Sequence, residues 1–459
     1  MSDIKAYPTE LLGRYVKELK YESLPAAVVA YAKLLVLDYL ASAVAGYKVN
    51  KIFNQAVLDV VGGMGGRPES TVLFGGGRLP AANAAFLNAA FGHGADLDDG
   101  HRTAQGHPGV ATIPAVLALA EATGKTGKDA IAAIVAGYEV YVRLSNAVMP
   151  SHFQRGFHGT GTVGAVAAGA AAAKTLNLSE EEVRRAISLA AVQASGLFEV
   201  SESGQMTKPI NPGNAVRTGV ISALLARAGC DAPTAPLEGA KGFIKAFTDT
   251  VDWDALTKEL GKRHLLTTCY IKLYPGCRHL HGAIDCAVKH HKSGSIPSVD
   301  AVDRIRIYAY PAAIQVVGNI LEPTSEDGAK FSMTYAAATA LISGNYTLED
   351  LSAARSMSAK VRATIRKIEI VGEPALENRA AGIRGTRMEL VLKDGTVKTE
   401  SVILPKGDPE VPLEDGDMRE KLRSCATGVY GETVQEALYE KAMQLDTLSD
   451  VGELVKILT

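Results

Sequence analysis

The residues best suited to chemistry crowd into one short stretch, Gly92-His93-Gly94-Ala95-Asp96-Leu97-Asp98-Asp99-Gly100-His101-Arg102, followed by Gly106-His107-Pro108-Gly109. Three carboxylates, three imidazoles and a guanidinium fall within fifteen residues, between two apolar segments. Flanked in this way, they face a crowded interior or a cleft; a solvated loop would not need glycines so dense beside them. The stretch admits three readings: a structural polar network with helix caps, a metal site built from Asp and His, or a cleft in which carboxylate and imidazole exchange protons. No HExxH helix or similarly fixed ligand spacing is present, so no metal is expected. Proton exchange is the reading carried forward.

Four further segments qualify. His158-Gly159-Thr160-Gly161-Thr162 leads into an Ala/Gly-rich helix whose first N–H groups favour an anion. It is a substrate-carboxylate seat or a plain helix start capped by Thr160 or Thr162. Lys208 precedes Pro209, which makes it extended or part of a turn; it is a surface lysine or a partner for a substrate carboxylate. Tyr270-Ile271-Lys272-Leu273-Tyr274-Pro275-Gly276-Cys277-Arg278-His279-Leu280-His281 is cationic through Lys272 and Arg278 and falls at an expected domain junction, where clefts form. His281 alone reads as structural. Phe331-Ser332-Met333-Thr334-Tyr335 opens an apolar helix, with Tyr335 either a core aromatic or a proton donor.

The elements that must position these groups are mainly helical. Leu24–Tyr47, Ala81–Phe91, Pro114–Thr123, Lys128–Val148, Gly164–Lys174, Glu180–Gly196 and Asn214–Gly229 carry apolar residues at helical spacing. Gly164–Lys174 leaves no polar face and must be buried. Ser179 before three glutamates is an N-cap with an acidic first turn. Beyond about residue 300 the pattern changes. Val302–Tyr308, Lys367–Val371, Arg387–Leu392 and Val397–Leu404 alternate as half-buried strands, and Asp394-Gly395 marks a hairpin. The glycine clusters at 62–66 and 75–77 lack a following Lys-Ser/Thr and open no βαβ unit, so they read as turns. The expected architecture is mainly α: a helical domain over 1–269, a smaller α+β lid over 270–403 and a helical return over 404–459.

Forty-eight basic and fifty acidic residues in a chain of 459 leave a formal charge of −2, which gives no bulk attraction to nucleic acid or anionic membrane. Five scattered cysteines without a CxxC pair read as free thiols in a reducing compartment. The start lacks a signal-peptide pattern, and no run of ~18 apolar residues is evident. The expectation is a cytoplasmic protein without a membrane span.

Together, Asp96-Leu97-Asp98-Asp99 with His107-Pro108-Gly109, His158-Gly159-Thr160-Gly161-Thr162, Lys208-Pro209 with Asn211 and Gly213, Lys272 with Tyr274-Pro275 and Cys277, and Phe331-Ser332 with Tyr335 resemble the MmgE/PrpD family, in the family's order. The resemblance implies a helical domain with an α+β lid, a homodimer, no metal or cofactor, and a small polycarboxylate substrate. Carried over by position, it implies Asp96, His107, His158, Lys208, Lys272 and Tyr335 as catalytic residues. Asp99, His101, Arg102, Thr160 and Arg278 are the expected substrate contacts. The family's chemistries develop carbanion-like charge beside a carboxylate, which must be neutralised while a proton is shuttled. Lys208, Lys272 and Arg102 would supply charge, His107 or His158 the base, and Tyr335 or His101 an acid. Dehydration of a di- or tricarboxylate is the leading expectation, with epimerisation of an amino- or hydroxy-dicarboxylate next and decarboxylation of a cis-aconitate-type substrate third. Dehydratase and decarboxylase members carry Thr directly after the Asp pair; this chain has Gly100, then His101-Arg102. That pair would hold an extra carboxylate or shift proton transfer towards epimerisation. Outside the family, a metal-dependent hydrolase and a non-catalytic carboxylate binder are the remaining classes.

Overall fold

The computed structural model describes residues 7–201, 206–294, 296, 298–378 and 381–459. Its centre is a layer of helices: Ala26–Val49, Ala81–His93, Pro108–Thr123, Gly127–Val148, Gly159–Thr175, Glu180–Ala191 and Ile210–Arg227. Gly159–Thr175 is buried almost along its whole length. It packs on Pro108–Thr123, Gly127–Val148, Glu180–Ala191 and Ile210–Arg227. Small side chains make that approach possible: a Cβ on Gly219 would lie 2.5 Å from the Ala168 carbonyl carbon. Capping boxes at Thr126/Asp129 and Ser179/Glu182 fix two of the helix starts.

Three helix starts lie four or more residues earlier than the sequence pattern predicts; the helix expected from Gly164 begins at Gly159, directly after His158. Pro108 occupies the first turn, where it needs no N–H partner, so the helix expected from Pro114 begins at Pro108. The helix expected from Asn214 begins at Ile210, directly after Pro209. All three shifts place a polar motif residue at a helix mouth.

The second part carries a four-stranded sheet in the order Ile368–Gly372, Val302–Ala309, Thr386–Leu392, Val397–Val402. The first pair is parallel and the others antiparallel. Ile307 faces Ile370 on one side and Met388 on the other. Gly395, at φ +87°, turns the expected hairpin. The helix His281–Lys292 packs on the sheet and Met333–Ser343 packs on that helix. The chain then returns to helix: Asp415–Ala426 and Glu432–Met443 pack against Ala26–Val49.

Ala26–Val49 corrects one expectation, because by length and composition it is apolar enough to cross a bilayer. Here it is a core helix with 67% of its most apolar window buried. It also carries Asp38, whose carboxylate pairs with buried Lys421. All five cysteines are free.

Candidate active site

The polar stretch forms the turn between the helices Ala81–His93 and Pro108–Thr123. Asp96 stands at its centre with φ +50°, a left-handed conformation uncommon for a side chain bearing Cβ. Its Oδ1 accepts from Lys272 Nζ at 2.5 Å and its Oδ2 from Lys208 Nζ at 2.9 Å. Lys272 Nζ also donates to the Asp96 carbonyl at 2.7 Å. Burial opposes the Asp96 charge, but the two ammoniums outweigh it and hold its carboxyl well below the usual range. The lysines arrive from different elements. Lys208 lies in the turn before Ile210–Arg227, and Lys272 on an extended segment clamped by Gly100–Tyr270 and Ile271–Gly407 backbone bonds.

His107 and His158 each stand at the N-cap position of a helix, and neither side chain caps it. Their rings are free to face a cavity of about 710 Å³, which Asp96, Lys208 and Lys272 also line. His107 Nδ1 lies 2.8 Å from the Asp99 carbonyl, which can only accept, so Nδ1 carries a proton and Nε2 is the nitrogen turned to the cavity. That Nε2 lies 3.8 Å from Asp96 Oδ1. His158 has the opposite tautomer. Asn211 Nδ2 donates to the Leu197 carbonyl at 3.1 Å, which fixes the amide's orientation, and to His158 Nδ1 at 3.0 Å. His158 Nε2 therefore carries the proton. Burial, then Lys208, holds this imidazole well below its ordinary pKa, so it is a neutral donor.

The remaining expected residues separate into those near the cavity and those outside it. Arg278 lines it, but its guanidinium is engaged: Nη1 donates to the Lys406 carbonyl and Nη2 to Asp408 Oδ1, each at 3.0 Å. His101 also lines it, with both nitrogens used. Nδ1 accepts the Ala104 N–H at 3.1 Å and Nε2 donates to Thr268 Oγ1 at 2.8 Å. Burial, then Arg102, lowers its pKa to about 3, so it is no acid for a substrate.

Four expected residues lie off the cavity. Tyr335 donates its hydroxyl to the Asp350 carbonyl at 2.5 Å and is buried in the apolar core, which corrects its assignment as proton donor. Thr160 neither caps its helix nor faces substrate; its Oγ1 accepts the His107 N–H at 3.3 Å and ties the two histidine turns together. Asp99 accepts from the Gly109 N–H and the Tyr138 hydroxyl, each at 3.0 Å, beneath the helix start. Arg102 pairs with Glu410 at 2.6 Å and lies 3.7 Å from Asp408, joining the polar turn to the returning chain. The Gly100-His101-Arg102 departure thus braces the polar turn against Thr268 and the returning chain.

His93, Asn211 and Tyr270 stand within the motifs the sequence displays but are not among the expected site residues. His93 Nδ1 donates to Asp98 at 2.9 Å, and its ring meets that of His107 edge-on at 4.7 Å. Asn211 sets the His158 tautomer; its signal was its place three residues after Lys208. His93, Asp96, Asp98 and His107 offer donor atoms within 4.8 Å of one another. A cation there would have to displace two ammoniums from Asp96. A second cavity of about 760 Å³ is lined by no histidine, and its charges include Lys421, Lys406 and Asp417, already paired.

Residues 10–256 match the MmgE/PrpD N-terminal domain and residues 274–447 the MmgE/PrpD C-terminal domain. A cis-aconitate decarboxylase-like protein of Aspergillus oryzae is 29% identical, the match covering 98% of this chain and 97% of that one. The cis-aconitate decarboxylase of Aspergillus terreus is 27% identical, covering 100% and 97%. The cis-aconitate decarboxylase of Homo sapiens is 27% identical, covering 98% and 94%.

Proposed function

Because the chain belongs to the MmgE/PrpD family, we propose that it is a lyase acting on a small di- or tricarboxylate, working without metal or cofactor. The observation that carries this reading is the pair of oppositely set imidazoles above the Asp96–Lys208–Lys272 cluster. His107 presents Nε2, which takes up or returns a proton. His158 presents a neutral N–H to a substrate oxygen on which charge grows. Lys208 and Lys272 offset the substrate's carboxylates. The two helix mouths beside the histidines add their N-terminal dipoles.

Decarboxylation is the finer reading we favour. Its support is the whole-length similarity to proteins named cis-aconitate decarboxylase. A second support is that the two residues expected as the acid for a departing hydroxyl, Tyr335 and His101, are both committed elsewhere, so dehydration would leave His107 to serve as base and acid in turn. In this reading the C–C bond to one carboxylate breaks, its carbon leaves as carbon dioxide, and the electron pair stays on the substrate. His107 Nε2, having taken up a proton from solvent, then delivers it to that carbon and closes the valence. Dehydration is the second reading, supported by the same His107, which can remove a proton from carbon and return it to the leaving oxygen.

The test is turnover of citrate, 2-methylcitrate, cis-aconitate and malate, followed by proton NMR and carbon dioxide release. A new alkene with carbon dioxide supports decarboxylation, and a new alkene without it supports dehydration. An inverted stereocentre with no alkene, or no turnover on any of them, overturns the lyase reading.

A further inference from the structure

The segment Cys269–Lys272 is extended, and its side chains alternate. Cys269 and Ile271 belong to the apolar core, whereas Tyr270 and Lys272 line the cavity. Tyr270 is pinned by two backbone bonds to Gly100, its N–H to the Gly100 carbonyl at 2.8 Å and its carbonyl to the Gly100 N–H at 3.1 Å. Arg278 lies over its ring at 4.8 Å. The ring is therefore fixed from below by backbone and from one face by a guanidinium that is itself anchored to Asp408. Among the described residues its hydroxyl has no hydrogen-bond partner, and it is not among the sealed polar atoms. A rigid, unpartnered O–H thus stands in the cavity beside Lys272.

Gly100 gives this hydroxyl its room. A Cβ at position 100 would lie 2.3 Å from the Tyr270 hydroxyl oxygen and 2.5 Å from the ring carbon that bears it. Gly100 does not have positive φ, so it is the phenol overhead, and not the backbone, that demands glycine. The phenol occupies the space that any side chain at position 100 would fill.

We propose that Tyr270 is a further catalytic residue, its hydroxyl donating a hydrogen bond to the substrate carboxylate oxygen on which charge accumulates as the neighbouring carbon becomes carbanion-like. This rests on the lyase reading. No net proton moves to or from the phenol; it strengthens an existing donor set of His158 and the two lysines. Burial raises the phenol's pKa, which keeps the proton on oxygen. The inference also assigns Gly100 a role: it is the partner that makes the tyrosine's position available.

Two readouts test it, turnover of cis-aconitate and calorimetric binding of tricarballylate, a saturated tricarboxylate that cannot react. Tyr270→Phe keeps the ring and the fold. It is expected to lower turnover about a hundredfold, the size of losing one donor to developing charge. It is expected to weaken tricarballylate about tenfold, as for a lost hydrogen bond to a charged group. Gly100→Thr alone is expected to lower both the melting temperature and activity. Combining it with Tyr270→Ala is expected to restore the melting temperature and part of the turnover, because a hydroxyl returns where the phenol was removed. Wild-type turnover and affinity in Tyr270→Phe would overturn the proposal. If wild type binds tricarballylate but turns over none of the polycarboxylates, the lyase reading fails alone, and the affinity of Tyr270→Phe still decides the hydroxyl's role. If wild type binds no polycarboxylate, both fail.

Discussion

Lys272 grips Asp96 twice, at the carboxylate Oδ1 at 2.5 Å and at the backbone carbonyl at 2.7 Å. One ammonium, with 1% of its side chain exposed, therefore fixes both the charge and the left-handed backbone of the residue at the centre of the site. Lys208, on the other oxygen, is more accessible and faces the cavity. Lys272 thus braces the backbone besides lending its charge to the cavity, whereas Lys208 is the more available of the two to substrate.

Asp96→Asn should therefore be costly to the fold as well as to activity. It leaves two ammoniums facing each other in a buried site. Losing one partner of a buried pair costs about 3–5 kcal/mol. Denaturant unfolding should report a loss of that size, and adding Lys272→Met to Asp96→Asn should recover part of it.

Lys208→Ala and His107→Ala should separate in steady-state kinetics. Lys208 meets substrate charge in ground and transition states alike, so its loss should raise KM and lower kcat together. His107 acts on a proton in transit, so its loss should lower kcat by about 10²–10⁴-fold with KM little changed. Wild-type kinetics in both variants would remove them from the site.

Acid stability carries a signature of the buried imidazoles. Burial, and then neighbouring arginines for the latter two, lowers His93 to about 4, and His101 and His279 to about 3. Ordinary imidazole titrates near ~6.5. Between pH ~6.5 and ~4 the unfolded chain binds protons that the native state refuses, so stability falls as pH falls through that window. His101→Asn should flatten the slope there by up to about 1.4 kcal/mol per pH unit, whatever it does to stability at pH 8. An unchanged slope in a denaturant series would refute the neutral, locked His101.

Chelator treatment should leave turnover unchanged. His93, Asp96, Asp98 and His107 cluster closely enough to invite a cation, but the ammoniums of Lys208 and Lys272 already satisfy Asp96. Loss of activity with EDTA and its return with one divalent metal would contradict this.

Much of the architecture was legible because periodicity is local. The helices, the Asp394-Gly395 hairpin and the Ser179 cap follow from residues near in sequence. The roles within the site were less so, since they depend on pairings across the chain. Lys208 and Lys272 stand 112 and 176 residues from Asp96. Tyr335 read as a proton donor because nothing local says that the Asp350 carbonyl takes its hydroxyl. Arg102 and His101 read as substrate contacts because Glu410 and Thr268 are remote. Tyr270 was visible only as one aromatic in a cationic segment; its meaning comes from Gly100, whose missing Cβ is a space and carries no motif.

The central claim is that this cavity stabilises a carbanion-like centre beside a carboxylate and delivers a proton to it. Proton NMR of cis-aconitate with the enzyme in D₂O tests it most directly. The account predicts carbon dioxide release, a shifted alkene and one solvent deuteron in each product molecule, all lost in His107→Ala. Deuterium washing into an α-carbon of a dicarboxylate such as iminodisuccinate, with no new alkene from any substrate, would contradict it and point to an epimerase.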